Sequence, residues 1–197
     1  EEPNDIHITK ILDKKTIDIL EKGGKVLLLA AGKVENGKEV VHHQTPVFWN
    51  TSWFKMRPPH TTGMLIYEDH PVFADFPTED FADLQWWEVA NRQQIMNLTY
   101  FPDGFSPIVQ PIDTWFLNRK LAMLFEARVG KGRLMVCSID LNLDSQNIVS
   151  RQLYNSMLKY IKSDQFNPID EVSMDILLEL FQQKDRPVWN AFVSENP

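Results

Sequence analysis

Cysteine is almost absent from this chain: Cys137 stands alone among 197 residues. A lone thiol closes no intrachain disulfide and builds no cysteine-based metal site, and it leaves the redox compartment open. Long apolar runs are missing as well. None approaches the ~18 residues that a bilayer span needs, and no signal-peptide pattern opens the chain. Positive charge is in deficit, with 20 Lys and Arg against 27 Asp and Glu and a formal net charge of −7. Phosphate backbones and anionic lipid surfaces demand clustered cations, so neither nucleic acid nor membrane is an expected partner. Glycine is sparse, and its two local clusters are not nucleotide fingerprints. Gly23-Gly24 reads as a helix end. Gly130-Lys-Gly132 is too short for a phosphate loop and precedes a strand rather than a helix. No cofactor signature is present. The first residues are Glu1-Glu2-Pro3 rather than Met, which reads as a piece of a longer or processed protein.

What is present is core. Hydrophobic residues make up 43% of the chain, enough for one large folded unit. Lys25-Val-Leu-Leu-Leu-Ala-Ala31 is apolar on both faces, as a strand between helix layers must be. Before it, residues 5–12 could hold a short strand. Thr16 can cap a helix over 17–22, with Gly23 in the left-handed conformation at its end. Residues 64–67 read as a short buried strand, and Pro71 can start a helix over 72–76. Residues 92–98 form a weak strand candidate. Residues 107–112 contain two prolines, which predicts an edge strand. Leu121, Met123, Phe125, Ala127 and Val129 alternate to one face. Gly130-Lys-Gly132 then reverses the chain, and residues 134–139 return as an antiparallel partner. Ser145 offers a cap for a helix carrying Val149, Leu153, Met157 and Ile161 on one face. Ser173 can cap a second helix over 174–183. The tail from Val188 reads as irregular. Strands alternating with helices predict a layered α/β sandwich, with a mixed, mostly parallel sheet and the hairpin at one edge. Residues 1–168 would form the α/β domain and residues 169–197 a helical extension packing on it or on a neighbour.

Several residues could carry chemistry. His42, His43 and His60 fall in one loop-like region with Trp49 and Trp53. Their spacing matches no zinc pattern, and adjacent histidines on an extended chain point apart, so no metal is expected. Asp69, His70 and Asp140 follow strands, where open α/β sheets bind ligands, and could serve acid–base chemistry or substrate binding. The favoured reading is that Asp69 and Asp140 cap the turns or helices that follow them, with His70 before Pro71 a turn residue. Cys137 lies mid-strand between Val136 and Ser138, a core position rather than a nucleophile's elbow. Trp86 and Trp87, with Trp115, could offer flat faces to sugar rings or simply pin loops.

An ordered set of segments adds a family. Gly23-Gly-Lys-Val-Leu-Leu-Leu29, Thr62-Gly-Met-Leu65, His70-Pro71, Phe76-Pro-Thr78 and Leu84-Gln-Trp-Trp87 come first. Pro107-Ile-Val-Gln-Pro-Ile-Asp113, Leu124-Phe-Glu-Ala-Arg-Val-Gly-Lys-Gly132, Cys137-Ser-Ile-Asp140, Arg151-Gln-Leu153 and Ser163-Asp-Gln-Phe-Asn-Pro168 follow. Together they resemble the C-terminal domain of large bacterial glycoside hydrolase family 2 proteins of the β-galactosidase-like type, over about residues 16–168. The resemblance implies a flavodoxin-like or class I glutamine amidotransferase-like fold, used as a non-catalytic accessory module. It implies catalytic domains of the same polypeptide as partners, with roles in scaffolding, oligomerisation or oligosaccharide contact. It also implies an extracytoplasmic location, periplasmic or at the cell surface. The two catalytic glutamates of such hosts lie in a separate barrel. Neither has a counterpart here, so no catalytic residue is transferred. The amidotransferase nucleophile elbow is missing too. The substrate-binding candidates are thus Trp86, Trp87, Asp69, His70 and Asp140. The competing expectation is a free-standing α/β hydrolase or amidotransferase-like enzyme with a degenerate site, which requires Asp69, His70 and Asp140 to converge.

Overall fold

The computed structural model describes residues 6–40, 42–44, 61–114, 117–143 and 147–184. They form an α/β sandwich around a six-stranded mixed sheet in the order β1-β2-β8-β7-β5-β3. The strands are β1 (Ile6–Thr9), β2 (Lys25–Leu29), β3 (Gly63–Ile66), β5 (Val109–Ile112), β7 (Leu124–Val129) and β8 (Gly132–Cys137). A separate antiparallel pair joins β4 (Met96–Asn97) to β6 (Leu121–Ala122). The helices are α1 (Lys14–Glu21), α2 (Leu84–Ala90), α3 (Ile148–Lys162) and α4 (Met174–Glu179), with a single 3-10 turn at Pro71–Phe73.

The layers follow from burial on both faces of the central strands. Leu27, Leu124, Met135 and Cys137 point into one core with residues of α2, α3 and the 3-10 turn. Val26, Leu28, Phe125, Ala127, Leu134 and Val136 point into the other, against Leu20 of α1 and Leu177 of α4. Helices therefore cover both sides, as the unbroken apolar run of β2 demands. α4 packs on the sheet itself, and the extended stretch before it is tied to β7 by Arg128 N donating to Asp170 O at 2.8 Å and Val172 N to Arg128 O at 2.9 Å.

The direction of the strands departs from expectation. Only β1–β2 and β2–β8 are parallel; β8–β7, β7–β5 and β5–β3 are antiparallel. The β7–β8 hairpin sits at the centre of the sheet instead of its edge, because β8 pairs on its far side with β2. β5 is likewise internal. It tolerates Pro111 because hydrogen-bonded pairs alternate along an antiparallel ladder. Tyr67 N donates to Ile108 O at 2.9 Å, so the pair Met64–Pro111 falls on a non-bonded rung. On its other side β5 meets β7 only at Val109–Leu124, short of the proline. β3 is the true edge, and Leu65 and Tyr67 are exposed, so it is half-buried rather than buried.

Side-chain alternation also breaks once. Met123 and Leu124 are consecutive yet face the same core. Met123 bonds to Val109 O and Ser138 N outside the regular ladder, a local bulge that shifts the faces of β6 relative to β7. Two caps differ from the sequence reading. Asp13, not Thr16, caps α1: its Oδ1 accepts from Thr16 N at 2.9 Å and from Thr16 Oγ1 at 2.8 Å, which starts the helix earlier. Asn147 caps α3, accepting from Ser150 N at 2.9 Å, while Ser145 lies outside the described residues, as do Trp49, Trp53, His60, Trp115 and the tail from Val188. Asp83 and Ser173 cap α2 and α4 in the same way.

The loop after β2 is held by a partly buried ionic staple. Arg119 donates from Nε to Asp113 Oδ2 at 2.7 Å and from Nη2 to Oδ1 at 3.0 Å, while Thr114 N and Arg119 N also bond to that carboxylate. Arg119 Nη1 lies 3.3 Å from Glu39 Oε1, and Glu39 Oε2 accepts from Gly37 N at 3.1 Å. The bidentate, multiply bonded geometry is the kind that repays desolvation of the charges.

The two glycines of the hairpin turn have different reasons. Gly130 takes φ +60°, the left-handed conformation that the reversal needs. Gly132 has no positive φ; a Cβ there would lie 2.7 Å from Leu20 Cα and Leu20 O and 2.9 Å from Gly24 O. Those neighbours are backbone and cannot swing aside. Gly132→Ala is therefore expected to destabilise the protein by roughly 3 kcal/mol, and Gly130→Ala by only about 1 kcal/mol. Urea unfolding of both variants checks the order; equal losses would show that α1 does not press on this turn.

Candidate functional site

Three parallel strands end together. The residues that follow β1, β2 and β8 enclose an open cleft of about 640 Å³. Lys10 comes from the end of β1, Ala31 to Lys33 from β2 and Ser138 to Leu143 from β8, while Gln93 and Gln94 reach in from the segment after α2. In open α/β sheets this carboxyl end is where ligands bind.

Local chemistry shapes each wall. Gly32 takes φ +71° so that the chain can turn out of β2, and Lys33 N closes the turn on Ala30 O at 2.9 Å. Asp140 accepts from Asn142 N at 3.1 Å through Oδ1, which lets Asn142 adopt φ +41°. Arg92, at φ +63°, redirects the chain from α2 toward the cleft. Left-handed non-glycine residues are uncommon and carry a local cost; two of the three described here, Arg92 and Asn142, flank this cleft. Gln93 Oε1 accepts from Asp140 N at 3.0 Å, Ser138 Oγ donates to Gln94 O at 2.7 Å, and Gln94 Nε2 donates to Val34 O at 2.6 Å. Gln94 Oε1 is buried and has no hydrogen-bond partner among the described residues, an acceptor that costs about 1–3 kcal/mol to leave empty. Lys10 and Lys33 have no ion-pair partner among the described residues. The rim is therefore cationic, the walls carry amides and one carboxylate, and Leu29, Leu141 and Leu143 supply apolar surface.

Of the residues read from the sequence, Asp140 alone lines this cleft. Trp86 is fully buried, packs edge-on to Phe73 and Phe76, and donates from Nε1 to Thr78 Oγ1 at 2.7 Å. It pins a loop and offers no face to a ligand. Trp87, on the same helix, is 50% exposed but lies outside the cleft. Asp69 is exposed at the sheet's edge. His70 caps the 3-10 turn, Nδ1 accepting from Val72 N at 3.2 Å. Its proton then sits on Nε2, 3.6 Å from Glu126 Oε1, between the rings of Tyr67 and Tyr160. Tyr160 donates to Glu126 Oε2 at 2.9 Å; burial, then Glu126, pushes its phenol above the ordinary tyrosine range. This triad ties the 3-10 turn and α3 to β7. β3 runs opposite to β8 and stands three strand spacings away, roughly 14 Å. Asp69 and His70 therefore do not converge with Asp140. His42, bonded through Nδ1 to Thr61 Oγ1 at 2.7 Å, and His43 line a smaller pocket of about 250 Å³ beside Met64. Among the described residues no three His, Cys, Asp or Glu side chains gather as a metal site would require.

The sequence family adds context. The model of a family described as Domain of unknown function (DUF8487) matches residues 7–182. The chain belongs to that family. No curated protein matches it. The match takes in every wall of the cleft and also α4. Lys10, Lys33, Gln93, Gln94 and Asn142 were not candidates from sequence. The strand-end rule would have found them only with β1, β2 and β8 known to be neighbours, and β8 reaches β2 from over a hundred residues away.

Cys137 ends β8 fully buried beneath this cleft, and burial pushes its thiol up to about 12. Its unfolded value is near 9.0, so above that pH the unfolded chain loses a proton that the folded chain keeps. The thiol's contribution is complete below pH 9 and is lost as pH rises toward about 12. Between pH 9 and 10 the wild type is expected to lose up to about 1.4 kcal/mol per pH unit more than Cys137→Ala does. Urea unfolding of both proteins across that interval checks it; parallel pH profiles would contradict the burial argument.

Proposed function

We propose that this chain is a non-catalytic accessory domain of a multidomain, β-galactosidase-like glycoside hydrolase, serving carbohydrate degradation by supporting the catalytic part and contacting glycan. The observation that carries the reading is the lining of the strand-end cleft. Amides, two lysines, one carboxylate and leucine surface occupy the place where an α/β enzyme would set a nucleophile beside its base. Ser138 is committed to Gln94 O, and Cys137 is a buried, protonated thiol. Such a lining suits reading a sugar's hydroxyls and ring face better than breaking a bond. The resemblance of the ordered segments to family 2 hydrolases suggests the host. Its catalytic domains are the partners, and the exposed Leu65, Phe81 and Leu84 give apolar surface for docking them or a second copy. With an exported host, the domain works in the periplasm or at the cell surface.

The coding sequence on either side of this chain is expected to encode a catalytic barrel in the same reading frame. The purified chain is expected to turn over neither nitrophenyl galactosides nor glutamine. A reading frame holding this domain alone, or turnover abolished by Asp140→Asn, would overturn the reading.

A further inference from the structure

We propose that the cleft beyond β1, β2 and β8 binds a hydroxylated carboxylate, specifically a uronate residue of an acidic oligosaccharide. Three observations meet there. The chain as a whole carries −7, yet the cleft carries two lysines against one aspartate. Cations held at the mouth of a cavity in an acidic protein select an anion from solution. Next, the polar walls offer both donors and acceptors. Gln93 spends Oε1 on Asp140 N, and its amide nitrogen has no bond among the described residues. Asp140 keeps Oδ2 after bonding Asn142 N through Oδ1. Vicinal hydroxyls, each donor and acceptor, match such a set. Finally, Leu29, Leu141 and Leu143 give apolar surface for a ring face, and about 640 Å³ accommodates a saccharide unit with its neighbours. Lys10 and Lys33 take the carboxylate; Gln93 and Asp140 read the hydroxyls.

Choosing a sugar over another hydroxy acid rests on the accessory-domain reading, so the test separates the two. The 197-residue chain is titrated with trigalacturonate, with galactotriose and with gluconate, followed by calorimetry and by amide chemical shifts. Trigalacturonate is expected to bind about tenfold or more tighter than galactotriose, with the advantage shrinking at high salt. Shifts are expected at Gly32, Asp140 and Asn142. Lys33→Gln and Lys10→Gln change exposed side chains and leave folding intact; each is expected to weaken trigalacturonate about fivefold and galactotriose not at all. Gluconate, with no ring face, is expected to bind more weakly than the acidic trimer. Equal affinity for acidic and neutral trimers, gluconate matching trigalacturonate, shifts confined to other surfaces, or lysine variants without effect would each overturn the inference. A barrel in the same reading frame without uronate binding removes this inference and leaves the accessory reading; uronate binding without a barrel does the reverse.

Discussion

Parallel pairing of β1, β2 and β8 is the constraint on which the rest of this domain depends. Those strands share one direction, so their carboxyl ends open at one edge and their exit loops form a cleft together. The pairing is stabilised by burial on both faces. Val26, Leu27 and Leu28 of β2 and Leu134, Met135 and Val136 of β8 are all fully buried. Each such side chain contributes about 1.5–3 kcal/mol of apolar burial, set against the entropy of ordering the chain. The β7–β8 hairpin then fixes the antiparallel half of the sheet, and β5 and β3 extend it away from the cleft.

The polar side chains of this domain divide between two tasks. His70, Glu126 and Tyr160 form a structural triad between the 3-10 turn, β7 and α3. Asp113, Arg119 and Glu39 staple the loop that follows β2 to the segment after β5. Both are internally satisfied, which is what a buried polar group needs to be neutral or better for stability. The cleft differs: its lysines and the Gln93 amide nitrogen are left without protein partners among the described residues.

Much of the secondary structure was legible because its causes are local. The apolar run of β2, the glycine at the hairpin reversal, the every-fourth-residue spacing of Leu153, Met157 and Ile161, and the Ser173 cap all act over a few residues. Sheet order was not legible. Whether a hairpin lies at an edge or in the centre depends on what pairs with its outer side, and β2 is remote in sequence from β8. The Met123 bulge was hidden because alternation from Leu121 to Val129 reads as one strand until Val109 and Ser138 are known to bond there. Of the candidate site only Asp140 could be read, since the strand-end rule places a residue but cannot name its neighbours from other strands. The tryptophan pair misled for a related reason: aromatic character says nothing about which side of α2 faces the core, and Trp86 takes the buried side while Trp87 does not.

The most direct test of the strand-end cleft as the domain's ligand site is a crystal structure of the chain soaked in an oligogalacturonide. The account predicts a sugar carboxylate within hydrogen-bond distance of Lys10 or Lys33 Nζ, with a ring hydroxyl on Gln93 or Asp140. A ligand seated elsewhere, with the cleft filled only by solvent at saturating sugar, would contradict it.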